Sequence, residues 1–227
     1  MPEAPLAVHA WPDGLAQALA DLRSIGMTVL SVPTSLTACR TDARHAIRHA
    51  VQHTLAAFLD RPAASVAVLS RPGQAPQVAA PGAGLAHLSI SHLPSFSVAA
   101  ISLRGAVGVD VMAIDAQSLP DWADVARDYL GPLAATALLQ TPPHNRPAAF
   151  AQAWTTLEAC LKCLGLGLTE WTPGLAARLQ ECTLTTLALP AGSCGVLAFQ
   201  LAAKGPDVVQ PGMPLIPPAS SAGTRFR

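Results

Sequence analysis

The sequence predicts an α+β fold, because long amphipathic helices and short β-branched strands occur in both halves of the chain. The clearest helical pattern covers residues 147–164, and a second long one begins at Thr41-Asp42 and runs to about Leu59. Short apolar segments between turn residues predict strands. Two of these segments, residues 183–189 and 195–201, face each other across a Pro-Ala-Gly turn and predict a strand pair.

The first half of the chain predicts five strands and two helices. A helix follows the Pro12-Asp13-Gly14 turn to about Ile25, and Asp60-Arg61-Pro62 ends the helix that begins at Thr41. Residues 71–84 are rich in Pro, Gly and Ala, which predicts a loop. The predicted strands, which are apolar or β-branched, are residues 6–10, 28–32, 65–69, 85–91 and 96–103.

The second half begins with a strand of small and β-branched residues, 106–112, and continues with a helical region, 120–140, that Gly131-Pro132 interrupts. The strongest helix then carries an apolar stripe and ends at Gly165 and Gly167. The stripe consists of Phe150, Trp154, Leu157, Leu161 and Leu164. Residue 105 is the predicted internal boundary.

Three segments follow from these patterns. Residues 1–105 are predicted to form an N-terminal α+β subdomain, and residues 106–204 a C-terminal one. Five prolines and a Ser/Ala/Gly run predict a flexible Pro-rich tail over residues 205–227.

The composition excludes several classes of protein. Charged residues make up 12% of the chain, against about a quarter in an average protein, and the net charge is zero. A protein that neutralises nucleic-acid phosphates would carry a basic excess. No apolar run reaches the ~20 residues that a membrane-spanning helix needs. The N-terminus lacks a basic region and five cysteines is an odd number, which together favour a cytoplasmic protein with reduced thiols.

The charges are divided unevenly between the halves. Residues 1–105 carry seven arginines against five carboxylates, whereas residues 106–205 carry five basic residues against eight carboxylates. A basic half that faces an acidic half could enclose a polyanion and a metal ion. From the counts alone, chance in a charge-poor chain is the better explanation of this division.

Three motifs contain residues that could carry chemistry. Asp110 lies within the apolar strand Val-Gly-Val-Asp-Val-Met, where a carboxylate is costly unless it is paired or holds a cation. Glu158 and Lys162 lie four residues apart on the strongest helix and share a face, which is also the spacing of an ordinary surface salt bridge. Ser91-His92 ends a predicted strand, where an imidazole could be merely solvated or could meet an anion.

Together these motifs resemble the 4′-phosphopantetheinyl transferases, specifically the larger surfactin-synthetase-type class. The family pattern joins a Ser-His pair, a Gly-Val-Asp strand and a Trp-x-x-x-Glu-x-x-x-Lys helix, here with Asp110 and Glu158 48 residues apart. The resemblance is clear over about residues 40–168. It implies two similar fused α+β subdomains, a pseudo-dimer within one monomeric chain, with the active site in the cleft between them.

The resemblance also implies the activity. The 4′-phosphopantetheine group of coenzyme A passes to a serine hydroxyl of an apo acyl or peptidyl carrier protein, and 3′,5′-ADP leaves. Asp110 and Glu158 would hold Mg²⁺, which suits a hard cation shared between carboxylates and phosphates. Glu158 or a water on the metal would accept the serine proton. Lys162 would contact the phosphates and offset charge on the leaving group.

Four further residues acquire implied roles in binding the cofactor. His92 matches a phosphate-binding histidine of the family, and Ser91 is the serine beside it. Arg40 and Arg44 match the basic start of a helix that binds the 3′-phosphate, where a guanidinium can pair with phosphate bidentately. No nucleic-acid or membrane partner is implied, and the identity of the carrier protein and its pathway is left open.

The sequence departs from the family pattern at three places. Met112 stands where many relatives have a second acidic residue, and a thioether is a poor ligand for a hard cation. Leu157 replaces a lysine beside Glu158, and the Gly-Lys-Pro motif is reduced to Gly73-Gln-Ala-Pro76, where Arg71 could substitute. These departures define an alternative: a diverged, catalytically weak or silent relative that binds coenzyme A or a carrier protein.

Two other patterns favour simpler explanations. His45, His49 and His53 form a helical row that could chelate zinc, but a solvated helix face explains them better. Cys160 and Cys163 have CxxC spacing inside a helix, which favours packed thiols. A Cys/His hydrolase remains a third hypothesis with no supporting His next to a Cys.

Overall fold

A computed structural model describes residues 4–35, 39–69, 75–79, 86–114 and 121–200. Three predictions lie outside these residues: the flexible tail 205–227, the possible substitute Arg71, and the degraded motif at Gly73 and Gln74. The architecture below is that of the described part of the chain.

The first sheet has six strands, formed entirely by residues before 103. Its spatial order is β1-β2-β6-β5-β4-β3, in which β1 and β2 are parallel and the other pairs are antiparallel. The strands are β1 His9–Ala10, β2 Met27–Pro33, β3 Ala67–Leu69, β4 Gln77–Ala79, β5 His87–His92 and β6 Phe96–Ser102. Helices α1 Leu15–Ser24 and α2 Arg40–Phe58 accompany this sheet.

The second sheet is antiparallel and has three strands, in the order β7-β9-β8. These are β7 Val107–Ala113, β8 Thr183–Thr186 and β9 Ser193–Phe199. Four helices belong to this part of the chain: α3 Trp122–Val125, which continues into a π-helical turn Ala126–Leu130, α4 Pro132–Gln140, α5 Arg146–Cys163 and α6 Pro173–Leu179.

The two sheets and their helices are stacked in four layers. Alternate residues of β2 and β6, such as Leu30 and Ile101, pack against α1 and α2. The intervening residues, such as Val29 and Val98, pack against Val109 and other members of the second sheet. The opposite face of the second sheet packs against α5. Because strand side chains alternate between faces, β2 and β6 present apolar residues on both sides of the sheet.

The structure confirms a mixed α/β fold of the α+β type. One correction concerns the loop predicted over residues 71–84, because residues 77–79 form β4 and pair with β3 and β5. A second concerns α6, which was not predicted although Thr172 caps its N-terminus and Pro173 occupies its first turn. None of the helices in the described part of the chain is long and apolar enough to cross a membrane.

Helix α5 is buried on two faces, whereas the sequence predicted one apolar stripe. Leu157 and Leu161 pack towards α6, and a second face with Ala159 and Cys160 packs on β7 and β9. The close approach depends on Gly108, because a Cβ there would collide with the α5 backbone at Ala159 and Cys163. Small residues on both elements therefore set the spacing between α5 and the strand that carries Asp110.

The thiols of Cys160 and Cys163 are buried in this interface, as the packed-thiol interpretation requires. Burial, with a contribution from Cys182, raises the pKa of each thiol to about 12. Thiolates carry the reactivity of cysteine, so at pH 8 iodoacetamide should modify the exposed Cys39 and leave Cys160 and Cys163 intact until the protein is unfolded. Peptide mass spectrometry after trypsin, which cuts between them at Lys162, measures each separately. Rapid native labelling of either would contradict this packing.

Candidate active site

Asp110 lies in the middle of β7, on the face that meets α5, and is 8% exposed. Two donors share one of its carboxylate oxygens: the Ser91 hydroxyl lies 2.8 Å from Oδ1, and the Lys162 ammonium lies 2.6 Å from the same atom. Lys162 also donates to the Val109 carbonyl at 3.2 Å. The carboxylate is thus both paired and hydrogen bonded, which is how a buried charge is tolerated.

This arrangement corrects the salt-bridge interpretation of the helix motif. Lys162 shares a helix face with Glu158, but its ion pair is with Asp110, 52 residues away in sequence. No hydrogen bond or ion pair joins Glu158 to another residue of the described part of the chain. Glu158 is partly buried, so its carboxylate remains open to a ligand.

The environment of Glu158 favours its protonated form. Burial raises the pKa of Glu158; the Lys162 ammonium opposes that rise, and the Asp110 carboxylate adds to it. The effect of Asp110 means that the two carboxylates are close enough to repel. A bound cation would relieve this repulsion, because it favours the charged form of both groups.

The opposite wall of the site is basic. Arg40, Arg44 and Arg48 follow one another at four-residue spacing on α2, which places them on one helix face about 6 Å apart. All three act on His92, at the end of β5: burial lowers the pKa of His92, and Arg44, Arg40, Lys162 and Arg48 lower it further. His92 also hydrogen bonds the Ser97 hydroxyl through Nδ1, at 2.7 Å. Burial and the four cations thus all favour the neutral form of the His92 imidazole.

The lowered pKa of His92 makes a prediction about acid stability. A histidine with a depressed pKa contributes stability that is present above its unfolded-state value of 6.5 and is lost as the pH falls through its folded-state value. Between pH 7 and pH 5 the free energy of unfolding of a His92→Gln variant should therefore fall less than that of the wild type. Urea titrations at both pH values measure this, with the exposed His144→Gln as control. An equal fall in His92→Gln and the wild type would contradict the buried, cation-flanked position of His92.

These groups line one cavity of about 850 Å³. It brings together the predicted residues Asp110, Glu158, Lys162, Ser91, His92, Arg40 and Arg44. The sequence did not predict that Arg48, Pro76 and Trp154 would line it as well. Arg48 could have been found from its spacing in the arginine row, and Pro76 from its place at the end of the reduced Gly73-Gln-Ala-Pro76 motif.

The wall around Met112 is apolar. Met112 lies two residues after Asp110 on the same face of β7 and packs against a cluster that includes Phe150 and Trp154. The Trp154 ring stacks on Phe150 with centroids 6.0 Å apart. Met112 therefore contributes apolar packing to this wall of the cavity.

The other sequence patterns lie outside this cavity. The rings of His49 and His53 on α2 are tilted, with centroids 4.1 Å apart, and both lie against Trp11, so the three form an aromatic cluster. Among the described residues, no group of three or more His, Cys, Asp or Glu side chains is arranged to hold a metal ion. No hydrogen bond joins a cysteine to a histidine in the same residues, so a Cys/His nucleophile gains no support.

Fold and site together define an α+β protein with a carboxylate–lysine centre, formed by Asp110 on β7 and by Glu158 and Lys162 on α5. This centre faces the row of arginines on α2, an arrangement suited to a phosphorylated ligand. Residues 106–195 match the family model of the 4′-phosphopantetheinyl transferase superfamily. The matched segment includes Asp110, Glu158 and Lys162. Among curated proteins, none matches the chain.

Proposed function

We propose that this protein transfers the 4′-phosphopantetheine group of coenzyme A to a serine of an apo acyl or peptidyl carrier protein, in a reaction that requires Mg²⁺. The observation that carries the proposal is the cavity in which the two carboxylates and Lys162 of the transferase-superfamily domain lie across from Arg40 and Arg44. A nucleotide with several phosphates needs both walls: cations for its phosphates, and carboxylates for the metal that bridges them.

The residues present fit a magnesium ion. Asp110 and Glu158 are hard oxygen ligands, and neither Oδ2 of Asp110 nor the Glu158 carboxylate is engaged by another described residue. Magnesium is commonly held by one or two carboxylates together with phosphates and water. Met112 supplies no oxygen, so in the described part of the site Asp110 and Glu158 are the carboxylates that would hold the ion. When bound, the ion would polarise the pyrophosphate and neutralise charge that develops on it.

The chain's own residues have distinct roles in this proposal. Arg40 and Arg44 bind the 3′-phosphate, and the neutral His92 donates an imidazole N–H to a phosphate oxygen. Lys162 offsets the charge on the departing 3′,5′-ADP. The serine oxygen forms a bond to the β-phosphorus while the bond between that phosphorus and the bridging pyrophosphate oxygen breaks. Glu158, or a water held by the metal, would accept the serine proton.

The organisation of the chain belongs to the same proposal. Residues 1–105 and 106–204 would act as two fused subdomains of a cytoplasmic, monomeric enzyme, with the active site in the cleft between them. The six-stranded sheet and the three-stranded sheet supply one wall each, which supports this division.

One observation favours a second candidate, a relative that binds coenzyme A or a carrier protein without transfer. Lys162 is held by Asp110 and Val109, and no second lysine stands at Leu157 to engage the phosphates in its place. In this candidate coenzyme A binding does not depend on Mg²⁺, because the carboxylate stays paired with Lys162.

The two candidates are separated by incubating the purified protein with coenzyme A, Mg²⁺ and each of several apo carrier proteins. Intact mass spectrometry of the carriers should detect one phosphopantetheine adduct on at least one of them. Titration calorimetry with coenzyme A, with and without Mg²⁺, tests binding alone. Metal-independent binding with every carrier unmodified would support the second candidate and refute the first.

A further inference from the structure

We infer that Ser91 is a positioning residue that orients the Asp110 carboxylate for the metal, and is not itself a ligand for phosphate. The inference rests on the proposed function. It changes the role that the resemblance implied for Ser91, because the hydroxyl is directed at Asp110 and is 7% exposed.

The hydrogen bonds of the Ser91 hydroxyl leave no proton for a phosphate. A hydroxyl has one donor hydrogen and two acceptor lone pairs. Ser91 donates to Asp110 Oδ1 at 2.8 Å and accepts the Val111 N–H at 3.3 Å. Phosphate oxygens need donors, and the single donor of Ser91 is already engaged by a carboxylate.

The same contact determines which oxygen of Asp110 faces a ligand. Ser91 on β5 and Lys162 on α5 both donate to Oδ1, so this one oxygen of the carboxylate is held from two sides. This leaves Oδ2 as the atom available to a cation. When Lys162 turns towards the phosphates, Ser91 remains as the side-chain donor that keeps Oδ1 in place. Partners of this kind fix the orientation of metal ligands.

Ser89 provides a matched comparison within the same strand. Its hydroxyl accepts the Val109 N–H at 3.0 Å, as Ser91 accepts that of Val111, so both serines join β5 to the free edge of β7. Ser89 is 4% exposed, close to Ser91. Ser91 alone of the two contacts Asp110. The difference between Ser91→Ala and Ser89→Ala therefore isolates the effect on the carboxylate from the effect on the β5–β7 contact.

The test measures metal binding directly, with Mn²⁺ as a spectroscopic substitute for Mg²⁺. Free Mn²⁺ is quantified by electron paramagnetic resonance in titrations of the full chain with saturating coenzyme A. Ser91→Ala should weaken Mn²⁺ binding by about tenfold, the usual effect of removing a partner of a metal ligand. Ser89→Ala should change it by less than about twofold, and Ser91→Thr, which keeps the hydroxyl, should restore it.

Each outcome decides the inference. Equal effects of the two alanine variants, with Mn²⁺ bound by the wild type, would overturn the role of Ser91 and leave the proposed function standing. Absence of Mn²⁺ binding by the wild type would overturn both. If Ser91→Ala fails to fold by circular dichroism, Ser91→Cys fills the same space with a weak donor and should show the same loss of Mn²⁺ affinity. Wild-type affinity in that variant would also overturn the inference.

Discussion

Replacing Glu158 by glutamine should lower kcat for carrier loading by about 10³-fold, a barrier increase of several kcal/mol. The substitution keeps the shape of the side chain but removes the charge that would hold the metal and accept the serine proton. Coenzyme A should still bind in the absence of Mg²⁺, because the arginine wall is unchanged. Steady-state loading rates and calorimetry measure the two properties separately.

Glu170→Gln is the matched control for this substitution. Glu170 lies in the same half of the chain, is exposed and does not line the cavity, so its variant should load carriers at the wild-type rate. Because Glu158 has a raised pKa and is partly buried, Glu158→Gln should fold at least as stably as the wild type near neutral pH. Full activity in Glu158→Gln would show that the Glu158 carboxylate has no role in the reaction.

Gly108→Ala should be the most destabilising single methyl addition in the site region. The new Cβ would collide with the backbone of α5 at Ala159 and Cys163, and a helix backbone cannot rotate away as a side chain can. We expect a loss of about 3 kcal/mol in the free energy of unfolding, at the upper end of overpacking effects. Urea denaturation measures this loss as a lower midpoint with an unchanged slope.

Gly167→Ala is the control for the glycine substitution, because a Cβ there would meet no atom within 4 Å. Its stability should stay within about 0.5 kcal/mol of the wild type, as for ordinary surface changes. Any folded Gly108→Ala protein should also show weaker metal binding, since α5 carries Glu158 and Lys162 and would be displaced from Asp110. Wild-type stability in Gly108→Ala would contradict the packing of α5 on β7.

Much of the fold was predictable because its elements are local. Helices α2 and α5 follow from their apolar periodicity, and β2, β6 and β7 follow from their β-branched residues. Each of these signals lies within the element that it predicts. β4 was missed for the opposite reason. Its three residues lie in a Pro-, Gly- and Ala-rich segment, and only pairing with β3 and β5 makes them a strand.

The candidate site was predictable only in part. Resemblance placed Asp110, Glu158 and Lys162 in one site, but helix spacing pointed to a Glu158–Lys162 pair, whereas Lys162 reaches Asp110 across 52 residues. The contacts of Ser91 depend likewise on the meeting of two separate sheets. The face of α5 that packs on Gly108 consists of small residues, which hydrophobic periodicity does not distinguish from a neutral surface.

We propose that the carboxylate–lysine centre transfers phosphopantetheine from coenzyme A. The most direct measurement quantifies, in one reaction, the 3′,5′-ADP released and the carrier protein modified, with and without Mg²⁺. We predict that the two products form in a one-to-one ratio and only when Mg²⁺ is present. Release of 3′,5′-ADP without carrier modification, or a yield that is independent of Mg²⁺, would contradict the account.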